Sequence, residues 1–132
     1  MSALYLDSSA LVKLVQREAD SAALRRYLRR NSARRVTSAL ARVEVVRAVL
    51  TGGPDAVAKA RRQLGRVHTV TLDRRILDRA GTLTAPVTVR SLDAIHLATA
   101  QALGDELQAV VTYDTRMEDA AMALGLATAA PA

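Results

Sequence analysis

The sequence predicts an α/β fold, a three-layer α/β/α sandwich with a mainly parallel sheet. Short apolar runs of strand length alternate with helical stretches, and two of these runs end directly at an aspartate. Alternation of this kind favours a parallel sheet covered by helices on both faces. A chain of 132 residues that is 50% hydrophobic is long enough for one core, so we expect a single domain over residues 1–132.

The first half of the chain alternates strand and helix signals. Asp7-Ser8-Ser9 follows an apolar run and predicts a helix start, and Ser38 is a candidate cap for a later helix. Gly52-Gly53-Pro54 ends that later helix. The predicted elements are a strand over 3–6, helices over 10–17 and 20–30, a weak strand near 35–37 and helices over 38–50 and 55–64.

The second half continues the same alternation. Ser91 begins a helix that is apolar on nearly all sides and that Gly104 closes, so we expect this helix to be buried. The tail, 126–132, is compatible with an edge strand or a loose end. The predicted elements are a strand over 67–72, helices over 73–82 and 91–103, a strand over 108–112 and a helix over 114–124.

Composition and charge restrict the possible functions. The absence of cysteine excludes disulfides, thiolate zinc sites and cysteine nucleophiles. A net charge of +6 favours a polyanionic partner, although an arginine-rich and alanine-rich composition explains it equally well. No apolar run of membrane-spanning length and no secretory signal pattern occurs, which predicts a cytoplasmic protein without membrane association.

Two aspartates directly follow predicted strands. Asp7 comes after the first strand, and Asp114 follows the strand over 108–112. Because residues just past parallel strands gather along one edge of a sheet, we expect their carboxylates to be neighbours if the two strands are neighbours. Capping of the following helix is the competing explanation for each, and one residue can do both.

Two further acidic residues lie within predicted helices. Asp93 begins the buried helix, where Ser91 already supplies a cap, so its carboxylate is expected to be partly desolvated. Glu44 is predicted in mid-helix, where capping does not explain it; a surface pair with Arg47 is the alternative. Converging carboxylates raise one another's pKa, and a hard divalent cation offsets this. Such a site predicts metal-assisted phosphodiester cleavage.

Four segments of the sequence occur in the order of known family motifs: residues 5–13, the Glu44 helix with Ser38 ahead of it, residues 91–100 and residues 111–117. Together they resemble the motifs of PIN-domain proteins and, within that family, of VapC-type toxins of bacterial toxin-antitoxin pairs. The resemblance covers nearly the whole chain.

This resemblance implies a Mg²⁺- or Mn²⁺-dependent endoribonuclease acting on RNA. The catalytic and metal-binding acids would be Asp7, Glu44, Asp93 and Asp114. Ser9 and Thr112 would donate hydrogen bonds that orient these carboxylates. The resemblance also implies a homodimer and a cognate antitoxin that covers the acidic groove.

Several other residues receive a lesser role. Arg116 is a candidate for contact with substrate phosphate, and Asp119 could join or replace Asp114. His96 is interpreted as a core histidine with satisfied hydrogen bonds rather than as a ligand. The arginines that could follow an RNA backbone, or form a solvated face, are those at 25, 26, 29, 30, 34 and 35.

Other acidic-site enzymes fit less well. An aspartate-nucleophile phosphatase has a second aspartate two residues after the first, where this chain has Ser9. A response-regulator receiver needs a lysine at a strand end, whereas Lys13 and Lys59 lie in predicted helices. The remaining alternatives are an RNA-processing PIN nuclease that is not a toxin, and a catalytically silent PIN module that binds RNA or protein.

Overall fold

A five-stranded parallel sheet forms the centre of the protein, whose computed structural model describes residues 1–132. The strands lie in the order β3-β2-β1-β4-β5, and each neighbouring pair is parallel. This confirms the predicted sheet. The strands are β1 (Ala3–Leu6), β2 (Arg34–Ser38), β3 (His68–Val70), β4 (Leu107–Val111) and β5 (Thr128–Ala129).

Seven α-helices flank the sheet. None of them has the length and apolar composition needed to cross a membrane. Short 3-10 turns follow the third and sixth helices, at Leu50–Gly52 and Gly104–Glu106. The helices are α1 (Ser8–Val15), α2 (Ser21–Arg30), α3 (Ala41–Val49), α4 (Pro54–Leu64), α5 (Arg74–Gly81), α6 (Ser91–Gln101) and α7 (Thr115–Ala123).

Strand β1 contributes to two cores because its side chains alternate between the faces of the sheet. Leu4 and Leu6 belong to a cluster of 17 buried residues that includes side chains of α1, α2, α3 and α4. Ala3 and Tyr5 belong to a cluster of nine buried residues with side chains of α6 and α7. The sheet is therefore covered on both faces, as the three-layer prediction requires.

Glu44 lies in the first turn of α3, so the prediction that it occupies mid-helix is wrong. The reason is a turn between β2 and α3, in which the Ala39 N–H donates to the Val70 carbonyl of β3 at 2.9 Å. The Ser38 hydroxyl accepts from the Leu40 N–H at 3.1 Å, inside this turn. The helix consequently begins at Ala41, and Ser38 remains the last residue of β2.

Helix α6 also begins differently from the expectation. Arg90 occupies the N-cap position in an extended conformation without a side-chain cap, and Ser91 is already helical. The predicted cap at Ser91 is therefore wrong. The helix is buried along most of its length as expected, although Leu92 is 50% exposed. Residues 128–129 form the edge strand β5, which resolves the open question about the tail.

Candidate active site

Asp7 lies at the carboxyl end of β1 and is almost completely buried, with 3% of its surface exposed. Its Oδ1 accepts from the Ser9 hydroxyl at 2.7 Å and from the Ala10 N–H at 3.1 Å, so Asp7 also caps α1. Its Oδ2 accepts from the Thr112 hydroxyl at 2.5 Å. Burial raises the pKa of Asp7 above its usual range, against the lowering effect of the hydrogen bonds from Thr112, Ser9 and Ala10.

Thr112 connects Asp7 to Asp114. It follows β4 and is completely buried, and its hydroxyl oxygen also accepts from the Asp114 N–H at 3.1 Å. The Asp114 Oδ1 accepts from the Arg116 N–H at 2.9 Å and so caps α7. Unlike Asp7, Asp114 is exposed to solvent. Strands β1 and β4 are direct neighbours, which brings Asp7 and Asp114 to the same edge of the sheet.

Asp93 lies in the first turn of α6 and is half-buried. It is not a cap, because α6 has no side-chain cap. Burial raises the pKa of Asp93, and the negative charges of Asp114 and Asp7 raise it further, against the opposing effects of His96 and Arg90. Asp93 therefore lies within electrostatic range of both Asp114 and Asp7.

Glu44 has hydrogen-bond partners that differ from those of the three aspartates. Its Oε1 accepts from the Ser8 hydroxyl at 2.6 Å and lies 2.6 Å from His96 Nε2. Burial tends to raise the pKa of Glu44, but the hydrogen bonds from His96 and Ser8 outweigh it and hold the pKa below its usual range. The side chain is 25% exposed, and its partner is His96 rather than the alternative Arg47.

The structure thus brings Asp7, Asp93 and Asp114 to one edge, with Glu44 beside them on His96 and Ser8. No group of three or more histidine, aspartate or glutamate side chains is arranged to hold a metal ion. The chemistry of the aspartates nevertheless fits a hard cation, because they are oxygen donors, and burial together with the charges of Asp114 and Asp7 raises the pKa of Asp93. Asp7 Oδ2 has a single protein donor, which leaves a lone pair for an ion.

Arg116 and Asp119 line a cavity next to this edge. The cavity has a volume of about 380 Å³ and is completed by Arg90, Val87 and Thr88. The positive charge of Arg90 lowers the pKa of Asp93, so the two residues are close and this cavity adjoins the acidic residues. It offers two guanidinium groups next to the carboxylates, which suits a phosphate-bearing ligand.

Most of the arginines singled out in the sequence lie away from the acidic edge. Arg34 and Arg35 begin β2, and Arg34 pairs with Glu106 at 3.1 Å, just before the start of β4. A second cavity of about 150 Å³ lies at these amino ends of the strands. Its lining is rich in arginine and contains no acidic residue: Leu14, Arg25, Leu28, Arg29, Arg35, Gln63 and Arg66.

Sequence reasoning missed the contact between His96 and a predicted site residue. His96 is a buried histidine with partners for both ring nitrogens, as the interpretation of a satisfied core residue states. Its partners, however, are Glu44 and Tyr5. The spacing of His96 one helical turn after Asp93 was the available signal, because residues three apart share a helix face.

Comparison with known proteins gives close relatives along the full chain. The PIN domain family matches residues 4–122. Ribonuclease VapC46 of Mycobacterium tuberculosis is 56% identical over 131 residues, which cover 99% of both chains. Ribonuclease VapC35 of the same organism is 44% identical over 131 residues, covering 97% of this chain and 96% of the relative.

Solved structures show the same fold. Mycobacterium tuberculosis VapC20, a sarcin-ricin loop cleaving toxin, has a TM-score of 0.73 at 18% identity, covering 89% of this chain and 94% of its own. A toxin-antitoxin complex from Klebsiella pneumoniae has a TM-score of 0.66 at 24% identity, and the match covers 86% of this chain and 88% of the matched chain. From the family match and the full-length relatives, the chain belongs to the PIN-domain family and, within it, to the VapC ribonucleases.

Proposed function

We propose that this protein is a Mg²⁺- or Mn²⁺-dependent endoribonuclease that acts as the toxin of a toxin-antitoxin pair. One observation carries the proposal: in a chain 56% identical to a VapC ribonuclease, Asp93 lies within electrostatic range of both Asp7 and Asp114 at the carboxyl edge of the sheet. This edge is where open α/β sheets bind their ligands. A buried carboxylate with a raised pKa is also typical of a functional site.

In this proposal Asp7, Asp93 and Asp114 hold the divalent ion, and Glu44 completes the acidic set. Ser9 and Thr112 fix Asp7 through their hydroxyl donors, so the carboxylate is oriented before any ion arrives. A Mg²⁺ or Mn²⁺ ion held by these residues would supply Lewis-acid chemistry, namely activation of a water and stabilisation of negative charge on the phosphoryl and leaving oxygens.

The substrate contacts are expected in the cavity beside the acidic residues. Arg116 and Arg90 face a shared cavity and can hold a phosphate next to the scissile one. Asp119 lines the same cavity, which makes it a neighbour of the substrate path rather than a replacement for Asp114. With no tryptophan or phenylalanine in the chain, contacts to the RNA backbone dominate over base stacking.

The proposed protein partners are an antitoxin and a second copy of this chain. Solved complexes with the same fold include a toxin-antitoxin complex from Klebsiella pneumoniae and VapBC2 from Rickettsia felis. Large apolar side chains are exposed on this chain and are available for such contacts, namely Val43, Leu50, Leu92 and Met122. Size-exclusion chromatography with light scattering tests the dimer, and a monomer at micromolar concentration would rule it out.

The catalytic proposal is tested on purified protein that is free of any antitoxin. We expect RNA cleavage with Mg²⁺ or Mn²⁺, no cleavage in EDTA, and a loss of about 100-fold or more in Asp7→Asn. Asp78→Asn, an exposed change in α5, is the matched control and keeps full activity. Cleavage that survives both EDTA and Asp7→Asn would contradict the proposal. Binding of RNA without cleavage would favour the silent module.

A further inference from the structure

We propose that His96 is a positioning residue that fixes the Glu44 carboxylate through its Nε2–H and is itself fixed by the Tyr5 hydroxyl. The proposal rests on the proposed role of Glu44 in the acidic site. It assigns His96 no contact with RNA, because only 3% of its surface is exposed. The Tyr5 hydroxyl on one side of the ring and the Glu44 carboxylate on the other decide how the protons are distributed.

Both ring nitrogens of His96 have a close partner. Nδ1 lies 2.7 Å from the Tyr5 hydroxyl oxygen, and Nε2 lies 2.6 Å from Glu44 Oε1. The rings of Tyr5 and His96 also contact edge to face, with centroids 5.9 Å apart and planes at 72°. The imidazole is therefore held in one orientation by contacts with β1 and α3.

The partners determine which nitrogen carries a proton. Ionised Glu44 can only accept hydrogen bonds, so Nε2 must be protonated to donate to it. Burial raises the pKa of the Tyr5 hydroxyl, which therefore remains protonated and available as the donor to Nδ1. The neutral ring accepts from the Tyr5 hydroxyl at Nδ1, and the protonated ring donates to the Tyr5 oxygen from Nδ1–H; in both cases Nε2–H donates to Glu44.

The two donors on Glu44 meet at the same oxygen. Ser8 and His96 both donate to Oε1, whereas Oε2 has no donor from the protein. Fixing one oxygen limits rotation of a side chain with three torsions and leaves the other oxygen open toward an ion or water. His96 therefore determines which oxygen Glu44 presents.

The same two donors connect Glu44 to the other acidic residues. Ser8 directly follows Asp7, and His96 lies three residues after Asp93 on α6. Glu44 itself comes from α3, 52 residues before His96 in the chain. The hydrogen bonds of Ser8 and His96 thus set the position of Glu44 relative to Asp7 and Asp93.

Two amide substitutions distinguish the roles of the two ring nitrogens of His96. The amide nitrogen of His96→Gln lies as many bonds from Cβ as Nε2 and can still donate to Glu44, whereas that of His96→Asn corresponds to Nδ1 and cannot reach. We expect His96→Asn to lose about tenfold in kcat and in Mn²⁺ affinity by calorimetry, with an unchanged KM for RNA. We expect His96→Gln to retain most of the kcat and most of the Mn²⁺ affinity of the wild type. The control is His68→Asn, a change at an exposed residue of β3.

A double mutant tests whether His96 acts through Glu44. Glu44→Gln combined with His96→Asn should bind Mn²⁺ no more weakly than Glu44→Gln alone. Additive losses would overturn the proposal, as would equal impairment of His96→Gln and His96→Asn. Wild-type affinity and kcat in His96→Asn would also overturn it, while leaving the nuclease proposal intact.

Nitrogen-15 NMR of the metal-free protein provides a measurement that does not depend on cleavage. The chain has two histidines, so His68→Asn leaves His96 as the only imidazole signal. We expect a protonated Nε2 in that protein and a changed signal in Tyr5→Phe. An unprotonated Nε2 would refute the proposal even if the protein cleaves RNA.

Discussion

The carboxylates at the carboxyl edge of the sheet and the arginines of the amino-edge cavity are held in different ways. At the carboxyl edge, Asp7 is buried and receives three hydrogen bonds, and its neighbour Asp93 has a raised pKa. At the amino edge, Arg29 and Arg66 are exposed and line a cavity without any acidic residue. The positions of the carboxylates are determined by the fold, whereas the arginines are free to adapt to a ligand.

This difference indicates a division of roles. Fixed, mutually repelling carboxylates suit a reaction centre, where the geometry must exist before the ligand arrives. Exposed arginines suit contact with a phosphate backbone, whose interaction depends on salt and little on position. Changes at the carboxyl edge should therefore alter kcat and metal affinity, and changes at the amino edge should alter RNA affinity and its salt dependence.

The largest effect among the new variants is expected for Asp93→Asn. Loss of one acidic ligand should lower Mn²⁺ affinity and reduce cleavage by about 100-fold. The same change should raise the melting temperature of the metal-free protein, because it removes a charge that Asp114 and Asp7 repel. Calorimetric titration and thermal unfolding measure the two effects, and unchanged Mn²⁺ affinity would exclude Asp93 as a ligand.

The pH dependence of this effect has a defined direction. Because the folded-state pKa of Asp93 lies above its unfolded value, the ionised carboxylate destabilises the metal-free fold above the folded-state pKa. That destabilisation decreases as the pH falls through the folded-state pKa and is absent below the unfolded value. The difference in melting temperature between wild type and Asp93→Asn should therefore disappear at acidic pH.

A smaller effect is expected for Thr112→Val, which keeps the shape of a buried side chain and removes its hydroxyl. Asp7 Oδ2 loses its donor and the Asp114 N–H loses an acceptor. We expect kcat to fall about tenfold, as for other residues that orient metal ligands. Thr112→Ser retains the hydroxyl and should remain close to wild type; equal losses in both variants would indicate a packing effect.

The smallest effect is expected at the amino edge. Arg29→Ala combined with Arg66→Ala should weaken binding to unrelated RNAs by a few fold and reduce the salt slope by about 1 to 2, with kcat unchanged. The double change Arg74→Ala and Arg79→Ala in α5 removes the same charge and is the control. Equal effects of the two pairs would show that net charge, rather than the amino-edge cavity, attracts RNA.

The sequence was sufficient to place the aspartates that follow strands. Asp7 and Asp114 were expected at the same edge because the alternating pattern and the chirality of crossovers predict parallel strands, whereas the adjacency of β1 and β4 comes from the structure. The start of α3 was not predictable in the same way. A hydrogen bond from Ala39 to the neighbouring strand β3 delays the helix, and such a tertiary contact leaves no local signal.

The environment of Glu44 could not be derived from the sequence for a related reason. Its partner His96 lies 52 residues away on a helix that packs against the opposite face of the sheet from most of the α3 core. Helical spacing within α3 indicated Arg47 as the nearest partner, yet the hydrogen bonds of Glu44 go to His96 and Ser8. Periodicity identifies the face of a helix but not the residues that meet it from other elements.

Anomalous scattering from Mn²⁺ in crystals of the protein tests most directly whether the acidic residues bind a metal ion. We predict an ion at the carboxyl edge of the sheet, coordinated by Asp7 and Asp93 and absent from Asp93→Asn crystals. An ion bound elsewhere, or none at these carboxylates at a Mn²⁺ concentration that supports cleavage, would contradict the proposed metal site.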